Sequence, residues 1–301
     1  MTSRQEICLR GQPTLRHYLD FVKHAVVGGE DISPRLLADE WRKANDLYHK
    51  LEISEAGLAD GAECRPLTAE QKKLVRKVRA SPHFLNTFDT MPTGFAMVEL
   101  DKLILFQTRV DKDHIKRLAA RLGPNSSFGA LVELCFPLSS PIAEVDIERV
   151  GARRFVFSTA STDLRFRNPV LVEPNDVKGI RSTGPLVGFA GVPVNFGPNL
   201  FSVIQSGPRL LLHNGYHRAC AMRAAGITHA PCIVQTVTRQ DELDVAAKAE
   251  VAQSPDFYFR SKRPPLLKDF FDPRIRRVFD VRPMKHVIEI NFEVREFTLP
   301  A

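Results

Sequence analysis

The stretch RLLLHNGYHRACAMRAAGITHAPCIVQ, residues 209–235, limits the folds open to this chain more than any other. Residues 209–213 form an apolar run of strand length, which Asn214 and Gly215 then break. From 216 to 225, small or apolar residues stand at 219, 220, 222 and 225, a spacing that predicts a short helix packed closely on a sheet. Gly226 falls where a left-handed helix cap needs glycine. Residues 231–237 read as a second buried strand. The unit is strand, tight turn, short helix, strand, and the fold class that holds it is α/β (α+β).

That order has a chemical consequence. Asn214 can cap the helix, Gly215 lets the backbone approach a ligand closely, and His217 and Arg218 ride on the first helical turn. Unpaired N–H groups and the positive end of the helix dipole converge there. An arginine beside them makes an anion site with phosphate as its natural guest. The alternative is an ordinary helix start with Arg218 salt-bridged to a neighbour, and the residues alone do not choose. His213 and His217 stand four apart with His229 nearby, but such a pair shares a face only within one helix. Gly215 separates them, so no metal site is expected.

The string LHNGYHRACAMRAAGITHAPCIV resembles the signature of the ParB/sulfiredoxin superfamily: a strand, a G-x-H-R or G-E-R-R turn, an Ala-rich helix and a strand beginning P-x-I-V. VELDKLILFQTRVDKDHIKRLAARLG (98–123) is similar to the family's opening strand, its Q-x-R element (Gln107, Thr108, Arg109) and the amphipathic helix that follows. Residues 168–174 resemble the intervening strand, and 238–251 the helix after the last strand. The resemblance implies a core domain over 91–253, with a helical region over 1–90 and a basic Pro/Phe-rich extension over 254–301. It implies a nucleotide site formed by Gln107, Arg109, Asn214, Gly215, Tyr216, His217 and Arg218, taking ATP or CTP with Mg²⁺. Whether the chain is an enzyme stays open. Phosphoryl transfer or nucleotide hydrolysis would use His217 and Arg218 to stabilise charge on the transferred group.

The chain also departs from that pattern. Tyr216 stands where sulfiredoxin carries its nucleophilic cysteine, and Cys220, one helical turn on, is expected to face the sheet. Gln107 cannot accept a proton at neutral pH, and Glu99 or Asp101 could serve as base only if turned inward. The 240–251 helix lacks the E-N-x-x-R pattern of partition proteins, no trihelical DNA-binding module follows it, and no carboxylate cluster for a nuclease metal is visible.

Elsewhere the patterns are plainer. Residues 14–50 read as helical, with Ser33 and Pro34 opening a second helix, and Thr68 starts a capping-box helix over 69–79. This region suits packing, partner binding or contact within a homo-oligomer. Residues 131–136 and 155–157 read as strands, and 287–299 alternates with the period of an edge strand. The Gly/Pro-rich stretch 179–199 has no P-loop or dinucleotide pattern, and reads as a binding loop or an irregular insertion.

Charge bears on partners. The net charge is +7, and residues 257–286 alone hold nine Lys/Arg against three Asp. Interleaved with Phe and Tyr, these could clamp nucleic acid. The favoured reading is a docked tail whose aromatics pack on the body. No apolar run approaches the ~20 residues of a membrane span, and the first residues lack a signal peptide's apolar stretch. Five scattered cysteines without C-x-x-C spacing suit a reducing cytoplasm.

Overall fold

In the computed structural model, which describes residues 3–139, 143–161, 163–177, 179, 183–197 and 199–300, the first element is a strand, where the sequence suggests only helices. This strand, β1 (Arg4–Leu9), buries Ile7, Cys8 and Leu9. Then come α1 (Leu15–Ala25), whose cap Thr14 accepts the His17 N–H, and α2 (Pro34–Ser54), with proline at its start. β2 (Cys64–Pro66) leads to α3 (Ala69–Arg79), opened by the expected capping box of Thr68 and Gln71, and to the single turn α4 (Pro82–Leu85). β3 (Thr93–Glu99), β4 (Arg109–Asp111), α5 (Lys112–Ala119) and α6 (Phe128–Cys135) complete this part.

α6 replaces the strand expected over 131–136. The Ser127 hydroxyl accepts the Ala130 N–H and starts the helix, which buries Leu131, Val132 and Cys135 on one side. A six-residue apolar run has too few periods to separate strand from helix, and the cap decides it.

Next come β5 (Asp146–Arg149), β6 (Arg154–Thr159), β7 (Leu164–Phe166), β8 (Val170–Val172), β9 (Phe189–Gly191) and β10 (Val194–Phe196). The chain then runs through β11 (Ser202–Ser206), β12 (Arg209–Asn214), α7 (Tyr216–Ala224) and β13 (His229–Val237). α8 (Gln240–Ala246), α9 (Ala249–Ala252), α10 (Pro255–Phe259), a 3-10 turn at Leu267–Phe271, β14 (Arg276–Val281) and β15 (His286–Asn291) follow. The mixture is an α+β fold.

Two units divide the chain, one formed by Met1–Ser139 with Pro198–Pro283 and the other by Ser140–Gly197 with Met284–Ala301. These boundaries differ from the expected 1–90, 91–253 and 254–301. The reason is strand pairing over long separations. β1 lies between β14 and β4, antiparallel to both, so residues near 5 and near 280 belong to one sheet with the Q-x-R element.

The larger sheet of the first unit has the order β12-β11-β13-β3-β2. β11 and β13 are parallel while the other neighbours are antiparallel. Parallel neighbours need a crossover, and α7 lies on it. Ala219, Cys220, Ala221 and Met222 on α7 are fully buried, in one core with Val203, Leu212, Cys232 and Ile233 from the sheet. Small side chains let this helix sit close, so only its ends reach solvent. At the far end, Ile227 N–H bonds Met222 O (2.9 Å) and Gly226 takes φ +82°, the glycine-dependent stop expected there.

In the second unit β15, β6 and β5 form an antiparallel sheet, with the pairs β10-β7 and β8-β9 beside them in sequence. The strand expected over 287–299 ends at Asn291, and Val294, Phe297 and Leu299 are exposed. Among the described residues no helix is long and apolar enough to cross a membrane.

Candidate functional site

The turn between β12 and α7 is built on Gly215, at φ +103°. A Cβ there would overlap the Phe201 ring and come within 3.2 Å of Arg218 Nη2. Glycine is therefore required by conformation and by packing together. Ala219 N–H is the first in α7 to reach a carbonyl of the turn, Gly215 O at 2.9 Å, so the N–H groups of residues 216–218 lie outside the helix's own ladder. The N-cap position is held by Gly215, which has no side chain to cap with, and the first turn contains no acid. Asn214, expected to be the cap, is the last residue of β12, opposite Ser202 across a bulge.

The structure brings the Q-x-R element against this turn. The buried Tyr216 hydroxyl accepts the N–H of Phe106 (3.1 Å) and of Gln107 (3.3 Å) and donates to Leu212 O (2.8 Å). Burial pushes its pKa far up, so the phenol is a structural tie and cannot lose a proton near neutrality. What Tyr216 can offer a ligand is its main-chain N–H.

His217 is half-buried. Its Nε2 accepts the Asp111 N–H at 3.0 Å, which places the proton of the neutral ring on Nδ1. Its ring meets that of His114 edge to face, with centroids 5.1 Å apart. Asp111 caps α5 through Oδ1 to the His114 N–H (2.7 Å). Burial lowers the His114 pKa, Arg117 and Arg218 lower it further, and Asp111 opposes them. The starts of α5 and α7 are thus locked together. His114 and Asp111 are site neighbours that sequence reasoning missed. The acid-lysine-acid-histidine string at 111–114 carried a capping signal but no sign of its partner.

Arg218 is 6% exposed, and its Nη1 donates to the main-chain carbonyls of Cys135 (2.8 Å) and Asn199 (2.7 Å). The cation thus closes the carboxyl end of α6, where carbonyls have no helical partner. Arg109 stacks over Phe21 at 4.3 Å and stands 3.9 Å from Glu6, while Gln107 Nε2 donates to Arg109 O (2.6 Å). Of the expected set, then, Asn214, Gly215, Tyr216, His217, Arg218 and the backbone of Gln107 come together. The Arg109 side chain is engaged with α1 and β1.

The other candidate chemistries find these positions. Glu99 bonds Glu63 N–H (3.2 Å) and Lys102 (3.0 Å), and Asp101 takes Arg223 Nε (2.9 Å). Neither contact is at the amino end of α7. His229 meets Glu63 (3.1 Å) at the start of β13. Among the described residues no group of three His, Cys, Asp or Glu is placed to hold a metal ion. Cys220 is fully buried, which pushes its thiol pKa up and leaves it inert.

The basic segment is docked. Leu266, Leu267 and Phe270 are fully buried, and several of its cations meet carboxylates, some within the segment and some from residues 30–55. Arg263 binds Asp269 and Glu55, Lys268 binds Glu55, Arg274 binds Asp272, Arg277 binds Glu40 and Arg282 binds Glu30. Of these acids Glu30, Glu40 and Glu55 come from outside the segment and offset part of its positive surplus, while Arg274 and Arg282 stay substantially exposed. No family model, curated relative or solved structure matches this chain.

Proposed function

We propose that this chain is a divergent ParB/sulfiredoxin-like protein that binds a nucleotide, ATP or CTP with Mg²⁺, by its phosphates at the amino end of α7. One observation carries the reading. Two elements more than a hundred residues apart, which the resemblance assigns to one pocket, are tied by Tyr216 to Phe106 and Gln107 and by His217 to Asp111. The helix start between them has glycine at its cap and no acid in its first turn, so its dipole suits an anion.

The roles divide differently from the motif's first implication. The N–H groups of residues 216–218 and the half-buried His217 ring contact phosphate. Arg218 acts as a positioning residue, holding the turn against α6 through Cys135 O and Asn199 O. The reading is one of binding; Asp111, tied to His217 through its main-chain N–H, is engaged in capping α5.

The test is thermal stabilisation by ATP and by CTP, with and without Mg²⁺, in the full chain and in His217→Glu. A carboxylate placed on the first turn should repel phosphate and cancel the shift, read as the difference between liganded and unliganded melting temperatures of each variant because the substitution also alters the tie to Asp111 and His114. No shift with either nucleotide in the wild-type chain defeats the reading.

A further inference from the structure

The opposite end of α7 borders a cleft of about 480 Å³, within the size range of small-ligand sites, lined by Glu55, Arg223, Arg263, Lys268, Asp272 and Arg274 among others. Its floor is a buried ionic network. Arg263, with a fully buried side chain, sends Nη1 and Nη2 to Asp269 (2.5 and 2.7 Å) and Nε and Nη2 to Glu55 (3.1 and 2.9 Å). Asp269 also accepts Tyr48 O–H (3.3 Å) and Leu266 N–H (2.9 Å). This floor is rigid because every oxygen and nitrogen that matters in it is engaged.

The rim differs from the floor in its hydrogen-bond balance. Every carboxylate is taken: both Glu55 oxygens by Lys268 and Arg263, both Asp272 oxygens by Arg274. The cations keep donors to spare. Arg223 gives Nε to Asp101 and lies 4.1 Å over the Phe271 ring, and among the described residues its two terminal nitrogens meet no acceptor. Arg274 Nη1 is in the same position, and Lys268 uses one of its three protons on Glu55. A cleft with saturated acceptors and three cations holding unspent donors is complementary to an oxyanion. A carboxylate has two oxygens and can satisfy two of these groups. A phosphate monoester has three and can take one donor from each, while its organic part lies against Leu51, Phe271 and Pro273.

We infer that this cleft is a second binding site, for a small phosphate monoester held by Arg223, Lys268 and Arg274. It does not depend on the nucleotide reading at the other end of the helix.

Titration calorimetry of the full chain at constant ionic strength tests it, with inorganic phosphate, ribose 5-phosphate, ribose and malonate as probes. Phosphate should bind, ribose 5-phosphate more tightly, and ribose not at all. Arg223→Gln and Arg274→Gln should each weaken binding about tenfold, the loss of one charge-assisted contact. Arg42→Gln, which removes an equal charge from an exposed position on α2, should leave it unchanged. Arg274 is 66% exposed in its side chain, so its variant reports on the site even if Arg223→Gln fails to fold. Absence of phosphate binding, or the same affinity in the Arg223 and Arg274 variants as in wild type, overturns the site. Malonate binding as tightly as phosphate overturns the choice of ligand.

Discussion

The amino end of α7 is tied to its neighbours by contacts among backbone groups, two histidine rings and a phenol, whereas its carboxyl end borders a cleft of paired charges drawn from Glu55 at the end of α2, from α7 and from residues 263–274. At the first end the helix dipole already favours an anion, and side chains have only to shape the turn. At the second the dipole opposes an anion, so cations have to supply the attraction and carboxylates have to hold the cations in place. The difference explains why one end carries a recognisable string and the other does not. A turn that uses backbone N–H groups needs glycine and small residues at fixed offsets, while a charge network needs only that distant residues meet.

The largest effect should come from the charge network. Arg263→Met removes the cation between Asp269 and Glu55 and leaves Asp269 buried and uncompensated, a loss of about 3–5 kcal/mol. Urea denaturation measures it. A loss of only a few tenths would mean that the cleft floor is not built on that pair.

Gly215→Ala should follow, at about 2–4 kcal/mol, because a side chain at φ +103° is strained and also meets Phe201. Should that variant melt like wild type, the turn is not locked and the contrast between the two ends fails. Tyr216→Phe leaves the N–H groups of Phe106 and Gln107 without their acceptor, an expected cost of about 1–3 kcal/mol. The same variant sharpens the comparison, since it should weaken nucleotide-induced stabilisation at the amino end and leave phosphate binding at the cleft intact.

The smallest effect is that of pH. The folded protein holds the His114 pKa below the ordinary 6.5, chiefly by burial. The unfolded chain therefore binds the extra proton first, so this contribution to stability is fully present above about pH 6.5 and is lost as pH falls from there through the lower folded value. Melting temperature followed across that range in wild type and in His114→Gln should show a shallower acid decline in the variant. Parallel declines would remove His114 from the account.

Legibility in the sequence follows the same division. The β12–α7–β13 unit, the glycine at its turn, the Gly226 stop and the Thr68 capping box all come from residues a few positions apart, where local sterics decide. β1 was hidden because RQEICL gains its meaning from β4 and β14, more than a hundred and more than two hundred and sixty residues away. The role of Arg218 was hidden similarly. One of its carbonyl partners, Cys135 O, ends α6, a segment that reads as a strand until Ser127 is recognised as its cap, and the other, Asn199 O, lies just before β11. The cleft left no local trace at all, since Glu55, Arg223 and Lys268 share no spacing that sequence reading could weigh.

The most direct test of the nucleotide proposal is amide NMR of the isotope-labelled full chain, titrated with Mg²⁺-ATP and Mg²⁺-CTP. The expected result is that the largest shifts fall on the N–H groups of Tyr216, His217 and Arg218, with smaller ones at Phe106, Gln107 and Asp111 through the ties described. Shifts that spare residues 216–218, whether they appear elsewhere or nowhere, contradict it.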